Sequence, residues 1–140
     1  MVDKLLYQLR VDLDELCAKE FHKNKDIKIC PNLVKEIKNQ SAELICQYDA
    51  FKLFVEECKK ENLTHLPLFK WTKDTIENKY KKKKYMKSFT IYVKGEQLYE
   101  KDIADRIEKI IYKNKCSCIV KVNKYDSNPK NNPQPPKKYL

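Results

Sequence analysis

Glycine is nearly missing from this chain: Gly95 is the only one in 140 residues. Gly-rich phosphate loops of the Walker and dinucleotide-binding kinds need several glycines at fixed spacing, so both are excluded. Histidine is almost as scarce. His22 and His65 are the only two, and both fall in stretches without periodicity. A nucleophilic mechanism needs a base held within reach of a Ser or Cys by a third group, and so thin a supply gives catalysis little support. Acidic pairs such as Asp12/Asp14 and Glu56/Glu57 read as solvated faces. The protein is expected not to be an enzyme, and no cofactor is expected.

No Cys-x-x-Cys pair occurs among Cys17, Cys30, Cys46, Cys58, Cys116 and Cys118. Neither Cys17/His22 nor Cys58/His65 has zinc-ligand spacing, so no metal is expected and the cysteines read as buried free thiols. No apolar run approaches a membrane span, and the N-terminus lacks an apolar core of signal-peptide length. These absences predict an intracellular protein, cytoplasmic or nuclear, without a membrane partner. Arginine is restricted to Arg10 and Arg106. The many lysines, with Asn, Ile and Tyr, resemble the output of an AT-rich genome.

Charge is abundant, and it is uneven. Residues 1–60 carry eleven basic and eleven acidic side chains, whereas residues 61–140 carry nineteen and nine, so the whole net charge of +10 lies in the second half. Codon bias acts on both halves alike and does not explain the asymmetry. Localised positive charge attracts polyanions, of which nucleic acid is the commonest. The charge centres on Lys79-Tyr80-Lys81-Lys82-Lys83-Lys84-Tyr85-Met86-Lys87. Lysines neutralise phosphates and tyrosines give stacking surfaces for bases. Lys70, Lys73 and Lys94 extend the patch, and Lys137-Lys138 offer a weaker second contact. The candidate nucleic-acid-binding residues are therefore Lys70, Lys73, Lys79, Tyr80, Lys81, Lys82, Lys83, Lys84, Tyr85, Lys87 and Lys94, with DNA or RNA as partner. The competing explanations are a solvated linker, protection of a strand edge by lysine, and a nuclear import signal.

Hydrophobic periodicity predicts an α+β fold in a single domain over 1–125. Val2, Leu6, Leu9, Leu13 and Leu16 form a helical stripe, which places a helix over 2–21. Pro31 fits the first position of a second helix. Val34, Ile37, Ser41, Leu44, Tyr48, Phe51, Val55 and Cys58 then alternate three and four apart, a heptad seam that would carry this helix to Lys60, with a break near Asn39-Gln40-Ser41 as the alternative. Together these predict an N-terminal antiparallel helical hairpin over 1–60. The seam supports a second functional reading, a protein-interaction or scaffold module using helix 31–60, dimeric in one version.

The basic half, 61–125, reads as irregular chain over 61–72, a short helix starting at Thr72 or Asp74, and a strand through Phe89, Ile91 and Val93. A helix over 99–114 faces inward with Ile103, Ile107, Ile110 and Ile111, and a strand over 116–124 carries Cys116, Cys118, Val120 and Val122 on one face. Gly95 marks a positive φ angle. Residues 126–140, with four prolines, read as a disordered or extended tail. Ile91-Tyr92-Val93-Lys94-Gly95 and the helix after it resemble the strand–helix step of small Alba-like nucleic-acid-binding domains. No diagnostic motif accompanies them, and no family is assigned.

Overall fold

The computed structural model describes residues 5–24, 30–128 and 135–139. Among these, six α-helices accompany one four-stranded antiparallel sheet, an α+β architecture as the sequence predicts. The strands are β1 (Tyr7–Leu13), β2 (Ala42–Cys46), β3 (Ser88–Val93) and β4 (Ile119–Asp126), in the spatial order β2-β3-β1-β4. The helices are α1 (Glu15–Lys23), α2 (Pro31–Lys38), α3 (Gln47–Lys60), α4 (Pro67–Glu77), α5 (Lys79–Tyr85) and α6 (Lys101–Asn114). Since every neighbouring pair is antiparallel, β1 runs with β2 and β3 with β4. Two βαβ crossovers are thus interleaved, the split βαβ arrangement, and α3, α4 and α5 are inserted between β2 and β3.

The N-terminal helical hairpin is not formed. Residues 7–13 are a strand, because Tyr7, Leu9, Val11 and Leu13 alternate with Gln8, Arg10 and Asp12. Leu9 and Leu13 satisfy a helical and a strand pattern equally, and Val11, fully buried, belongs only to the strand. Leu16, the last member of the expected stripe, is 69% exposed. Asp14 stops the strand and starts α1, its carboxylate accepting a 2.7 Å hydrogen bond from the Cys17 amide.

The heptad helix over 31–60 is likewise broken, at the place the alternative reading marked. Ser41 adopts φ 59°, and the chain then pairs as β2 with β3, Leu44 opposite Ile91 and Cys46 opposite Phe89, before α3 begins. The seam is therefore no single helical face, and dimerisation through it loses the element it was argued from. The short helix expected from Thr72 or Asp74 is the second half of α4, which begins earlier, within the stretch expected to be irregular, because Pro67 occupies its first turn, as Pro31 does in α2.

The core lies on one face of the sheet. Leu9, Val11, Leu13, Phe89, Ile91 and Val93 meet Leu33 and Ile37 of α2, Ala104, Ile107 and Ile111 of α6, and Ala18 of α1. The expectation for β3 and α6 holds in these residues. For β4 it fails at two points: the strand begins at Ile119, so Cys116 and Cys118 precede it, and the register against β1 shifts between Asp12 and Leu13, so that Val120 turns to solvent, 63% exposed. Gly95 has φ +78° in the turn after β3, as expected.

Two disulfides correct the free-thiol reading. Cys17 of α1 joins Cys118 (Cα–Cα 5.8 Å), and Cys30 joins Cys116 (5.3 Å). Cys46 and Cys58 stay outside these bridges and are buried. Of the expected disordered tail, Asp126 ends β4, Ser127 hydrogen-bonds Leu6, and Tyr139 in a final 3-10 turn (Lys137–Tyr139) reaches Asp74 of α4. Residues 129–134 and 140 lie outside the described residues.

Candidate nucleic-acid interface

The lysine run is the helix α5. Asn78 sits in an extended conformation that separates it from α4, and the Asn78 side chain accepts hydrogen bonds of 3.0 Å from the amides of Tyr80 and Lys81. Lysines three or four apart repel each other on a helix. Two features offset this. Lys82, Lys83 and Lys84 fall in the last turn, where the helix dipole favours positive charge. Neighbouring groups also engage them: Lys83 pairs with Glu15 at 3.4 Å, and the Lys82 ammonium lies 5.4 Å from the Tyr48 ring centre. Lys83 and then Lys19 hold the Glu15 carboxyl below its ordinary range.

α5 is anchored at its C-terminal end. Tyr85 packs edge-on against Phe51 of α3, at 5.0 Å between ring centres. Lys87 hands the chain to β3 through its carbonyl, which accepts from the Leu13 amide at 2.8 Å. The rest of the helix stands in solvent, Tyr80 84% exposed. The run is thus a short basic helix held at one end.

That anchored end opens onto a groove of about 980 Å³ over the polar face of the sheet. Its floor is Gln8, Arg10 and Asp12 of β1 with Lys121, Asn123 and Tyr125 of β4, and its wall is Leu68, Trp71, Thr72 and Thr75 of α4. Lys84, Tyr85 and Lys87 complete it. Arg10 is fixed here: its Nε donates to Gln8 Oε1 at 2.8 Å, and its guanidinium carbon lies 5.1 Å from the Tyr125 ring centre. Burial pushes the Tyr92 hydroxyl pKa up, and the charge of Arg10 opposes that shift. The lining carries Arg10, Lys84, Lys87 and Lys121 against Asp12, Glu96 and Asp126. It also carries four aromatic rings, those of Phe51, Trp71, Tyr85 and Tyr125.

The expected site residues do not all converge. Lys79, Tyr80, Lys81, Lys82, Lys83, Lys84 and Tyr85 share α5, with Lys87 just beyond it. Lys70 and Lys73 lie on α4 but do not line the groove, and Lys73 pairs with Glu77 at 3.0 Å. Lys94 follows β3 at the opposite end from Lys87 and does not line the groove, although Gly95 beside it does. Arg10, Trp71, Lys121, Asn123 and Tyr125 escaped the sequence reading. For Arg10 a signal was present in the polar alternation Gln8-Arg10-Asp12, which shows a sheet face once 7–13 is taken as a strand; the other four join it only through the fold.

Among the described residues, no helix is long and apolar enough to cross a membrane. No family model, no curated protein and no solved structure matches the chain. The likeness of residues 91–95 and the following helix to Alba-like domains gains no support from these comparisons.

Proposed function

We propose that this is a non-enzymatic nucleic-acid-binding protein that contacts phosphates through α5 and Lys87 and leads a strand into the adjoining groove. One observation carries the reading. The anchored end of the lysine helix opens into a cleft whose floor and wall hold Arg10, Lys121, Trp71 and Tyr125. Positive charge tracks a phosphate backbone, and exposed rings accept unpaired bases of any sequence. A cleft over a sheet face suits a single strand more than a duplex. Lys70, Lys73 and Lys94 contribute at most to the long-range field.

Salt dependence tests this directly. Affinity for a single-stranded oligonucleotide is expected to fall steeply with salt, and Lys81–Lys84→Ala to flatten the slope of log affinity against log salt by up to ~0.7 per lost contact. Trp71→Ala is expected to cost ~1–3 kcal/mol of binding while leaving that slope unchanged, because stacking releases no counterions. An oligonucleotide affinity insensitive to both substitutions would remove the proposal.

A nucleic-acid role implies an intracellular setting, cytoplasmic or nuclear. Two disulfides weigh against an ordinary reducing cytosol, where thiols are kept reduced. Thiol alkylation before lysis, read by mass spectrometry, decides the matter. Four protected cysteines would place the working protein in an oxidising environment, and six reactive ones in a reducing one.

A further inference from the structure

A second cluster of chemically capable side chains lies apart from the groove, where α1, α3 and the α5–β3 junction meet. His22 comes from the last turn of α1, Cys46 from the residue that precedes α3, and Asp49 from the first turn of α3. One ligand atom from each, an imidazole nitrogen, a thiol sulfur and a carboxylate oxygen, lies within 4.8 Å of the other two. Cys46 is buried, and His22 and Asp49 are half-buried. His22 Nε2 stands 3.6 Å from Cys46 Sγ. Around zinc, sulfur at ~2.3 Å and imidazole nitrogen at ~2.0–2.1 Å, set at the tetrahedral angle, are about 3.5 Å apart. The observed pair already has that edge length.

We propose that His22, Cys46 and Asp49 form a zinc site. Thiolate and imidazole together select zinc over magnesium or calcium, and three protein ligands leave a fourth position to water or a carbonyl. The Met86 carbonyl oxygen is the nearby candidate, 2.8 Å from His22 Nε2 and 3.9 Å from Cys46 Sγ. On binding, the Cys46 thiol gives its proton to solvent, the neutral His22 ring shifts its proton from Nε2 to Nδ1 by exchange with solvent, and the ion takes the place of the hydrogen bond between His22 Nε2 and the Met86 carbonyl. An apolar shell surrounds the imidazole: Phe89 stacks on it at 6.2 Å between ring centres, and Phe21 meets it edge-on at 5.5 Å. Such a shell restricts solvent and holds the ring in place. The ion would tie α1 to α3 beside Met86, the residue that ends the lysine helix. Sequence spacing could not reveal this site, because residues 22, 46 and 49 share no motif and meet only through the fold. The proposal is independent of nucleic-acid binding.

Cobalt substitution tests it on the full chain with both disulfides intact. Protein freed of metal by a chelator is titrated with Co²⁺ and then with Zn²⁺. The expected result is one equivalent of Co²⁺, a thiolate-to-cobalt charge-transfer band in the near ultraviolet, and loss of the band on adding Zn²⁺. Cys46→Ala is expected to abolish the band and Cys58→Ser to retain it, since Cys58 lies in a separate apolar cluster with Val55 and Phe69. Asp49→Asn, which keeps the shape of the side chain, is expected to weaken Co²⁺ at least tenfold and covers the case in which Cys46→Ala fails to fold. No band in the wild-type protein, or a band and affinity unchanged in Asp49→Asn, would overturn the site. It would leave half-buried His22 and buried Cys46 hydrogen-bonded to the Met86 and Tyr85 carbonyls.

Discussion

Tyr99 shows how a single side chain can hold two strands in register. Its ring is buried, its hydroxyl donates to the Ile91 carbonyl at 2.9 Å, and the same oxygen accepts from the Leu9 amide at 3.0 Å. Leu9 and Ile91 are partners across β1 and β3, so the hydroxyl bridges the centre of the sheet. Tyr99→Phe leaves a buried donor and a buried acceptor without this partner, and is expected to cost ~1–3 kcal/mol in denaturant unfolding. Burial pushes the Tyr99 pKa up to about 12, from an ordinary value of 10.0. The unfolded chain therefore releases this proton first. The contribution to stability is complete below pH 10 and is lost as pH rises towards 12. The wild-type protein is expected to lose stability over that window faster than Tyr99→Phe does. Equal slopes for the two proteins would mean that the hydroxyl is not buried.

At the scale of elements, caps and breaks decide what pattern alone leaves ambiguous. Removing the Asn78 cap by Asn78→Ala is expected to cost α5 about 1 kcal/mol. This would appear as five- to tenfold faster hydrogen exchange of the α5 amides, with exchange in β1 and β3 unchanged. The basic run, β3 and α6 were legible in the sequence, because Phe89, Ile91, Val93, Ile107 and Ile111 fit one template only. β1 was not legible, because Leu9 and Leu13 fit two. The break between α2 and β2 showed only as Asn39-Gln40-Ser41, and nothing local says that Leu44 and Ile45 must pair with a strand more than forty residues later. In β4, Val120 belongs to the inner face by alternation, and the bulge opposite Asp12/Leu13 moves it outside.

At the scale of the whole molecule, the disulfides join the two ends of the chain. Their sequence separations are 101 and 86 residues, and the shorter loop lies inside the longer. With Cys17–Cys118 closed, forming Cys30–Cys116 closes an effective loop of only 101 − 86 = 15 residues. Such a loop gives ~3 kcal/mol in the chain-entropy account, whereas a loop near one hundred residues gives ~4.7. Changing Cys30 and Cys116 together to Ala is thus expected to lower unfolding free energy by about 3 kcal/mol, and removing the second bridge as well to cost more than the first did. Denaturant titration under non-reducing conditions measures both steps. A second loss smaller than the first would contradict the nested-loop argument.

The sequence by itself determined the α+β class, the position of the basic run, the inward faces of β3 and α6, and the turn at Gly95. Each of these depends on neighbours within a few residues, through periodicity, backbone freedom or local charge. Only the tertiary structure decided the rest: that the basic run is helical, that 7–13 is one of the two central strands, that four cysteines pair across 86 and 101 residues, and that Arg10 and Lys121 share a groove with Lys84 that Lys94 does not line. The same holds for the meeting of His22, Cys46 and Asp49. These are contacts between segments far apart in the chain, and their closure entropy is overcome by the shared core of Leu9, Val11, Ile91 and Ile107 rather than by anything local.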